Sequence, residues 1–190
     1  MRIIGGRHRG RPLAAPPGRT ARPTSDRTRE TLFNILAHGL GHALEGATMV
    51  DAFAGSGAVA FEALSRGARH AYLIDDNAAS IDSIRKNAAA LGETGRVTIL
   101  RCDARRPPAA PGPCDLAFLD PPYGSGLAAP TLSALSARGW LAEDALCVVE
   151  VGSDEPFAPP QGFRIEKDRP SGAARLVFLS HSRQAGGGED

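Results

Sequence analysis

Two clusters in this sequence bring together residue types that could do chemistry. The first is Asp120-Pro121-Pro122-Tyr123, which closes the apolar run Asp115-Leu116-Ala117-Phe118-Leu119. Such a run reads as a strand buried on both faces of a parallel sheet, and two prolines cannot continue a hydrogen-bonded ladder, so the strand must stop there. The stop sets a carboxylate, a rigid backbone and an aromatic ring at the carboxyl end of a strand, the edge where open α/β sheets bind ligands. The Asp120 carboxylate and the Pro121 carbonyl are two acceptors close together, and two acceptors fit an NH2 group. An exocyclic base amine is a poor nucleophile because its lone pair is delocalised into the ring. Hydrogen bonds to both of its protons draw the nitrogen toward tetrahedral geometry and localise that pair. The Tyr123 ring can stack on the base, a contact worth about 1–3 kcal/mol. The chemistry indicated is direct displacement at a sulfonium methyl, dominated by positioning and needing no metal. The bland alternative is a proline-terminated strand with an incidental Asp and Tyr.

The second cluster is Asp51-x-Phe53-x-Gly55-x-Gly57, between a strand and a helix. Glycines there let a ligand approach the backbone, and the helix amino end favours anionic groups. No Gly-Lys-Ser/Thr follows, so this is not a P-loop. Gly55-x-Gly57-x-x-Ala60 nearly matches a dinucleotide fingerprint, and Asp75 lies twenty residues after Gly55 at the end of the next strand, as a ribose-binding acid should. Asp76 should point to the other face. Asp103, just past the third strand, could accept from an adenine amino group. The bland readings are a tight βα turn with no ligand, and helix amino-terminal charge for Asp75 and Asp76. The turn alone indicates an adenosine-type cofactor without saying which. A hydride-transfer site needs a proton donor or base, and Tyr123 is the only one at this edge, so the Asp120 cluster favours a methyl donor over a nicotinamide.

The elements that must hold these clusters follow from the pattern. Ile3-Ile4, the Gly5-Gly6 turn and the following residues predict a small hairpin carrying Arg7, Arg9 and Arg11, and residues 14 to 23 read as a linker. A helix should start near Thr24-Ser25-Asp26 and run to about His38, with Leu32, Ile35 and Leu36 on its apolar face. From Thr48, strand, turn and helix alternate. Strands are expected at 49–53, 70–74, 97–100, 114–119 and 145–151, and helices at 58–66, 78–91 and 130–138. Asn77 should cap the second of these helices and Gly92 stop it. A terminal antiparallel hairpin, 163–167 and 175–179, flanks Pro170-Ser171-Gly172. Repeated βα units imply an α/β fold with a mostly parallel, doubly wound sheet and right-handed crossovers.

Composition bounds the rest. The 190 residues are 42% hydrophobic and 23% charged, enough for one domain with a full core and ordinary for a globular protein. No apolar run reaches the roughly 18–20 residues of a membrane span, and the amino terminus lacks a signal-peptide core, so a cytoplasmic protein is expected. Cys102, Cys114 and Cys147 form no Cys-x-x-Cys pair, and the five histidines show no metal-ligand spacing. The net charge of +1 hides eight arginines against one acid, Asp26, in residues 1 to 29, which points to a polyanionic partner. The competing account is base composition, since arginine outnumbers lysine twenty to two.

Asp51-x-Phe53-x-Gly55-x-Gly57 followed by Asp120-Pro121-Pro122-Tyr123 resembles the class I S-adenosylmethionine-dependent amino-methyltransferases, which act on planar nitrogens. Arg2-Ile3-Ile4-Gly5-Gly6, Arg9-Gly10-Arg11-x-Leu13 and Arg22-Pro23-Thr24-x-Asp26-Arg27-x-Arg29-Glu30-Thr31-Leu32-Phe33-Asn34 narrow the match to the RsmD family, as do Phe53-Ala54-Gly55-Ser56-Gly57-Ala58 and Glu62-Ala63-Leu64-Ser65-Arg66. The resemblance runs from Arg2 to about Leu179. It implies a Rossmann-like class I methyltransferase fold, with a mostly parallel seven-stranded sheet, a terminal antiparallel hairpin and a small basic hairpin at the amino end. It further implies S-adenosylmethionine as cofactor and guanine N2 of small-subunit ribosomal RNA, naked or in an assembling small ribosomal subunit, as substrate. By position, Asp120 and Pro121 would hold the amine and Tyr123 would stack on the base. Asp51, Phe53, Gly55 and Gly57 would line the cofactor pocket, and the Arg22–Glu30 segment, Thr24 included, would lie over the cofactor's methionine end. Arg7, Arg9 and Arg11 would grip phosphates. The family often has Glu where this chain has Asp75. The expected division is a basic hairpin and linker over 1–22, a methyltransferase domain over 23–183 and a disordered tail over 184–190, in a monomer without metal. The alternatives are the same chemistry on another planar amine such as adenine N6, an NAD-dependent oxidoreductase, or a basic RNA-binding module.

Overall fold

The computed structural model of the chain describes residues 1–17, 25–38 and 44–182. Thr24 and the expected tail over 184–190 lie outside the described residues. The elements are α1 (Asp26–His38), β1 (Thr48–Ala52), α2 (Ala58–Ser65), β2 (His70–Asp75), α3 (Ala78–Leu91), β3 (Val97–Arg101), β4 (Cys114–Leu119), α4 (Ala128–Ala137), β5 (Leu141–Gly152), β6 (Phe163–Ser171) and β7 (Ala174–His181). The strands form one seven-stranded sheet in the order β3-β2-β1-β4-β5-β7-β6. β3, β2, β1, β4 and β5 run parallel, and β7 lies antiparallel between β5 and β6. The order reverses between β1 and β4, so the cleft at their carboxyl ends is where such a sheet holds ligands.

Alternation along each strand sorts the core into two layers. Met49, Leu73, Phe118, Val148 and Phe178 face α1, α2 and α3, joined by Leu32, Phe33 and Leu36 of α1. Val50, Ile74, Ala117, Leu119, Val149 and Val177 face the other way, onto Leu132 and Leu135 of α4 and the buried Trp140. β1 is buried along its whole length, the signature of a central parallel strand. The outer strand β6 instead carries Arg164, Glu166, Lys167, Asp168, Arg169 and Pro170, charges and a proline that keep an edge from pairing with another chain. The terminal pair extends to Ser171 and His181, beyond the expected hairpin.

α3 has the expected cap: the Asn77 side chain accepts from Ala79 N (2.8 Å) and Ser80 N (3.3 Å), and Gly92 ends the helix at φ 72°. α4 starts at Ala128, two residues before the expected Pro130. A proline in the first helical turn loses no intrahelical bond, so it does not mark the boundary.

The amino-terminal segment doubles back through Ile3 N to Arg11 O and Gly10 N to Ile3 O, both 2.9 Å, with a bridge between Arg2 and Pro12. It is built onto the sheet's helices: Ile3 and Leu13 belong to the core layer under α1 and α2. The fully buried Glu62 carboxylate accepts from Ile4 N (2.7 Å), Gly5 N (2.8 Å) and Arg66 Nε (2.7 Å). Asn87 of α3 exchanges bonds with the Ala14 backbone and donates to Ser56 O at 2.9 Å, tying the segment to the glycine turn.

Candidate active site

At the carboxyl end of β1 the chain makes a tight, left-handed turn. Phe53 has φ 66°, Gly55 φ 58° and Gly57 φ 76°. A non-glycine residue in that region is strained and persists only where its surroundings enforce it, as at functional sites. A Cβ on Gly57 would stand 2.7 Å from both Leu73 Cδ2 and Phe61 Cε2, so glycine there serves the approach of α2 to the sheet as well as the backbone angle.

Asp51, Asp75 and Asp120 converge on this turn. Asp51 is buried, and one carboxylate oxygen receives Ala60 N of α2 at 3.3 Å. Burial pushes its pKa well above the usual carboxylate range; the Ala60 amide opposes the shift, and the charges of Asp120 and Asp75 add to it. Asp75 accepts Gly55 N at 2.8 Å on one oxygen and Asn77 N at 2.9 Å on the other, so its carboxylate braces the glycine turn against the cap of α3. Three carboxylates set together, one of them buried with a raised pKa, fit a cation such as a sulfonium better than a phosphate, which the glycine turn alone would equally have allowed.

Asp103 lies past β3, where Arg105 takes up its carboxylate (Nη2 to Oδ2, 2.7 Å) and holds it below the usual carboxylate range. An adenine amine would have to share that carboxylate with Arg105.

Asp120 N reaches Ala52 O at 3.4 Å, so β4 ends beside the glycine turn. Tyr123 then turns back over β5. Its hydroxyl donates to Glu150 Oε1 at 2.7 Å. The ring is 45% exposed, an aromatic surface held open for contact. Leu119 pairs with Val149 in the parallel register, which makes Asp120 and Glu150 neighbours on the face shared by Phe118 and Val148. A pocket of about 200 Å³ lies beside them, lined by Tyr123, Glu150, Arg27, Thr28 and Ser171 among others.

Three buried glutamates had no role assigned from sequence. Glu150 orients Tyr123, Glu62 holds the amino-terminal backbone, and Glu93 accepts from Arg7, His8 and Arg96 at 2.5–2.7 Å. An acid inside a run that is otherwise apolar, as Glu150 is in Leu146-Cys147-Val148-Val149-Glu150-Val151, was the available signal. Of the three expected phosphate contacts, Arg7 is engaged by Glu93 while its side chain stays 51% exposed. Arg11 donates to Ala90 O at 2.6 Å, and Arg9 is exposed. Cys114 and Cys147 are buried, with the Cys114 thiol pushed up to about 12 by desolvation, which marks them as inert core residues. Among the described residues there is no group of His, Cys, Asp and Glu able to hold a metal ion, and no helix is long and apolar enough to cross a membrane.

A 3-2-1-4-5-7-6 sheet with a glycine turn after its first strand and an Asp-Pro-Pro-Tyr end on its fourth defines a Rossmann-like class I methyltransferase. Residues 1–180 match the family model described as conserved hypothetical protein 95, and the chain belongs to that family, the RsmD family. Ribosomal RNA small subunit methyltransferase D of Escherichia coli is 38% identical over 192 residues, covering all of this chain and 93% of its own length. The protein of the same name from Haemophilus influenzae is 34% identical, covering 90% of this chain and 89% of its own. A solved methyltransferase structure from E. coli superposes with a TM-score of 0.81 at 36% identity, covering 97% of this chain and 99% of that one. A methylase from H. influenzae gives 0.77 at 28% identity, covering 96% and 99%. The enzyme therefore uses a methyl donor, and the nicotinamide alternative falls.

Proposed function

We propose that the enzyme transfers a methyl group from S-adenosylmethionine to the exocyclic N2 amine of a guanine in small-subunit ribosomal RNA, acting in the cytoplasm as a monomer. The observation that carries this reading is the Asp120-Pro121-Pro122-Tyr123 strand end at the switch point, with the Tyr123 ring exposed and held by Glu150. The ribosomal names of the two relatives support the substrate class.

Bound S-adenosylmethionine supplies an electrophilic methyl carbon on a sulfonium. Phe53, Gly55 and Gly57 line its pocket, and the carboxylates of Asp51 and Asp75 bias the pocket toward a cation. Asp75 can serve the ribose hydroxyls from the same position in which it braces Gly55, since a carboxylate accepts several hydrogen bonds. Asp103 would accept from the adenine amine beside Arg105, and Thr24 is the residue we assign to the methionine end. Tyr123 stacks on the guanine. The Asp120 carboxylate and the Pro121 carbonyl accept from the two N2 protons, and Asp120 takes the proton shed as the nitrogen–carbon bond forms and the carbon–sulfur bond breaks. We read residues 1–22 as an RNA-facing appendage of a methyltransferase domain over 23–183, with Arg7, Arg9 and Arg11 meeting phosphates.

The test is methyl transfer from labelled cofactor into small-subunit RNA or subunits, followed by nucleoside mass spectrometry. N2-methylguanosine is the expected product. N6-methyladenosine, or label found only in protein, would overturn the assignment.

A further inference from the structure

Glu150 is a buried acid set at the ligand edge of the sheet. It is 4% exposed and sits on β5, one residue past the Leu119–Val149 pair, which sets it beside Asp120 just after β4 and on the same face. Its Oε1 accepts the Tyr123 hydroxyl at 2.7 Å, which sets the carboxylate at the edge of the exposed ring, and a carboxylate oxygen can accept more than one hydrogen bond. It also lines the pocket that Tyr123, Thr28, Ser171 and Arg27 enclose, where Arg27 brings the positive charge.

We propose that Glu150 is a specificity residue that reads the Watson–Crick edge of the target base, accepting the N1–H of guanine while Asp120 accepts from N2, with Arg27 facing O6. This rests on the guanine reading above. Guanine presents N1–H and N2–H side by side and O6 beyond them, so two neighbouring carboxylates and one guanidinium match its edge in order. Adenine and 2,6-diaminopurine carry a lone pair at N1. Facing a buried carboxylate, that lone pair leaves two acceptors opposed with no proton between them, which is costly in a desolvated site. Drawing on N1–H also raises the electron density available at N2, so the contact favours the displacement as well as the choice of base.

The test uses the whole enzyme and small-subunit RNA carrying, at the position the wild-type enzyme methylates, either guanine or 2,6-diaminopurine. The diaminopurine keeps the reactive 2-amine but lacks N1–H. The wild-type enzyme should prefer guanine by about 100-fold in kcat/KM, as a site built around a hydrogen-bonded group rejects the analogue lacking it. In Glu150→Gln, whose amide can donate to N1, that preference should shrink by about 10-fold or more, with the affinity for S-adenosylmethionine unchanged by calorimetry. Tyr123→Phe loses the hydroxyl but keeps Glu150, and should keep the preference. A wild-type enzyme that methylates the two bases within about threefold overturns the assignment without need of any variant. So does a Tyr123→Phe enzyme that loses the preference as Glu150→Gln does, because Glu150 would then act only through Tyr123. A wild-type enzyme that makes no N2-methylguanosine from the guanine RNA overturns the guanine reading itself, an outcome distinct from both.

Discussion

The two halves of the cleft are built differently. On the side of β1, β2 and α2, backbone geometry does the work: left-handed Phe53, Gly55 and Gly57, and an Asp75 carboxylate that receives two backbone amides. On the side of β4 and β5, a half-exposed ring is oriented by a side-chain hydrogen bond to Glu150 beside an open pocket. In the proposed reaction the first half is a rigid mould for one small molecule that every turnover binds alike, and the second is an adjustable edge for a base presented by a large polymer. Damage to the mould should therefore appear in stability and cofactor affinity, and damage to the edge in turnover and substrate choice.

The sharpest way to break this contrast is at Asp120. Asp120→Ala removes the acceptor proposed for the amine and for its proton, and should lower kcat by about 10²–10⁴-fold. Cofactor affinity by calorimetry and the melting temperature should stay close to wild type. A variant that loses cofactor binding in proportion to activity would place Asp120 in the mould instead. Gly57→Ala is the mirror experiment. Its Cβ meets Leu73 and Phe61 at 2.7 Å, at φ 76°. Overpacking and backbone strain together should cost about 2–3 kcal/mol in denaturant unfolding and weaken cofactor binding. An unchanged unfolding midpoint would show that α2 can retreat, and that the mould is softer than its geometry indicates.

The contrast also explains what was legible in the sequence. The mould is local: Asp51, Gly55, Gly57 and Asp75 fall within two consecutive βα units, and their spacing follows from strand, turn and helix lengths. The Asp120 strand end is equally local, because prolines stop strands wherever they occur. Glu150 could not be assigned a partner from sequence, since what it holds lies 27 residues away in the turn after a neighbouring strand. Glu62 likewise reaches 57 and 58 residues back to Gly5 and Ile4. The arginines of the amino-terminal segment were visible as charge, but not their division of labour, because Glu93 and the α3 carboxyl end that engage Arg7 and Arg11 are brought there by folding.

Asp51 offers a titration that only the mould should show. Its folded pKa is raised above the ordinary 3.8, by burial first and by Asp120 and Asp75 in the same direction. A raised acid costs the ligand-free fold stability progressively from about pH 3.8 upward to the shifted value, and by a constant amount beyond it. A bound sulfonium favours the ionised form and draws the pKa back down. Cofactor binding should therefore release protons, and affinity should rise with pH through that window. Calorimetry in buffers of different ionisation enthalpy measures the release. Asp51→Asn should abolish it, weaken binding several-fold, and leave the ligand-free protein at least as stable above the window. Proton release that persists in Asp51→Asn would assign the linkage to another group.

The smallest effect lies outside both halves, on the amino-terminal segment, and it separates charge that folds the protein from charge that meets a partner. Arg7 helps neutralise Glu93, which is 3% exposed and also holds His8 and Arg96. Arg9 extends into solvent from the same turn. One phosphate contact contributes a unit to the salt dependence of RNA binding rather than a large share of affinity. Arg9→Ala should weaken RNA binding about two- to fivefold at moderate salt and lower the slope of log affinity against log salt by about 1, with no change in melting temperature. Arg7→Ala should lower the slope less, because its guanidinium is shared with Glu93, and should cost a little stability as well. Filter binding over a salt series with both variants distinguishes the two. Equal slopes in Arg9→Ala and wild type would mean that the arginine-rich segment folds onto the enzyme without touching RNA, and that the polymer is gripped from the Tyr123 edge alone.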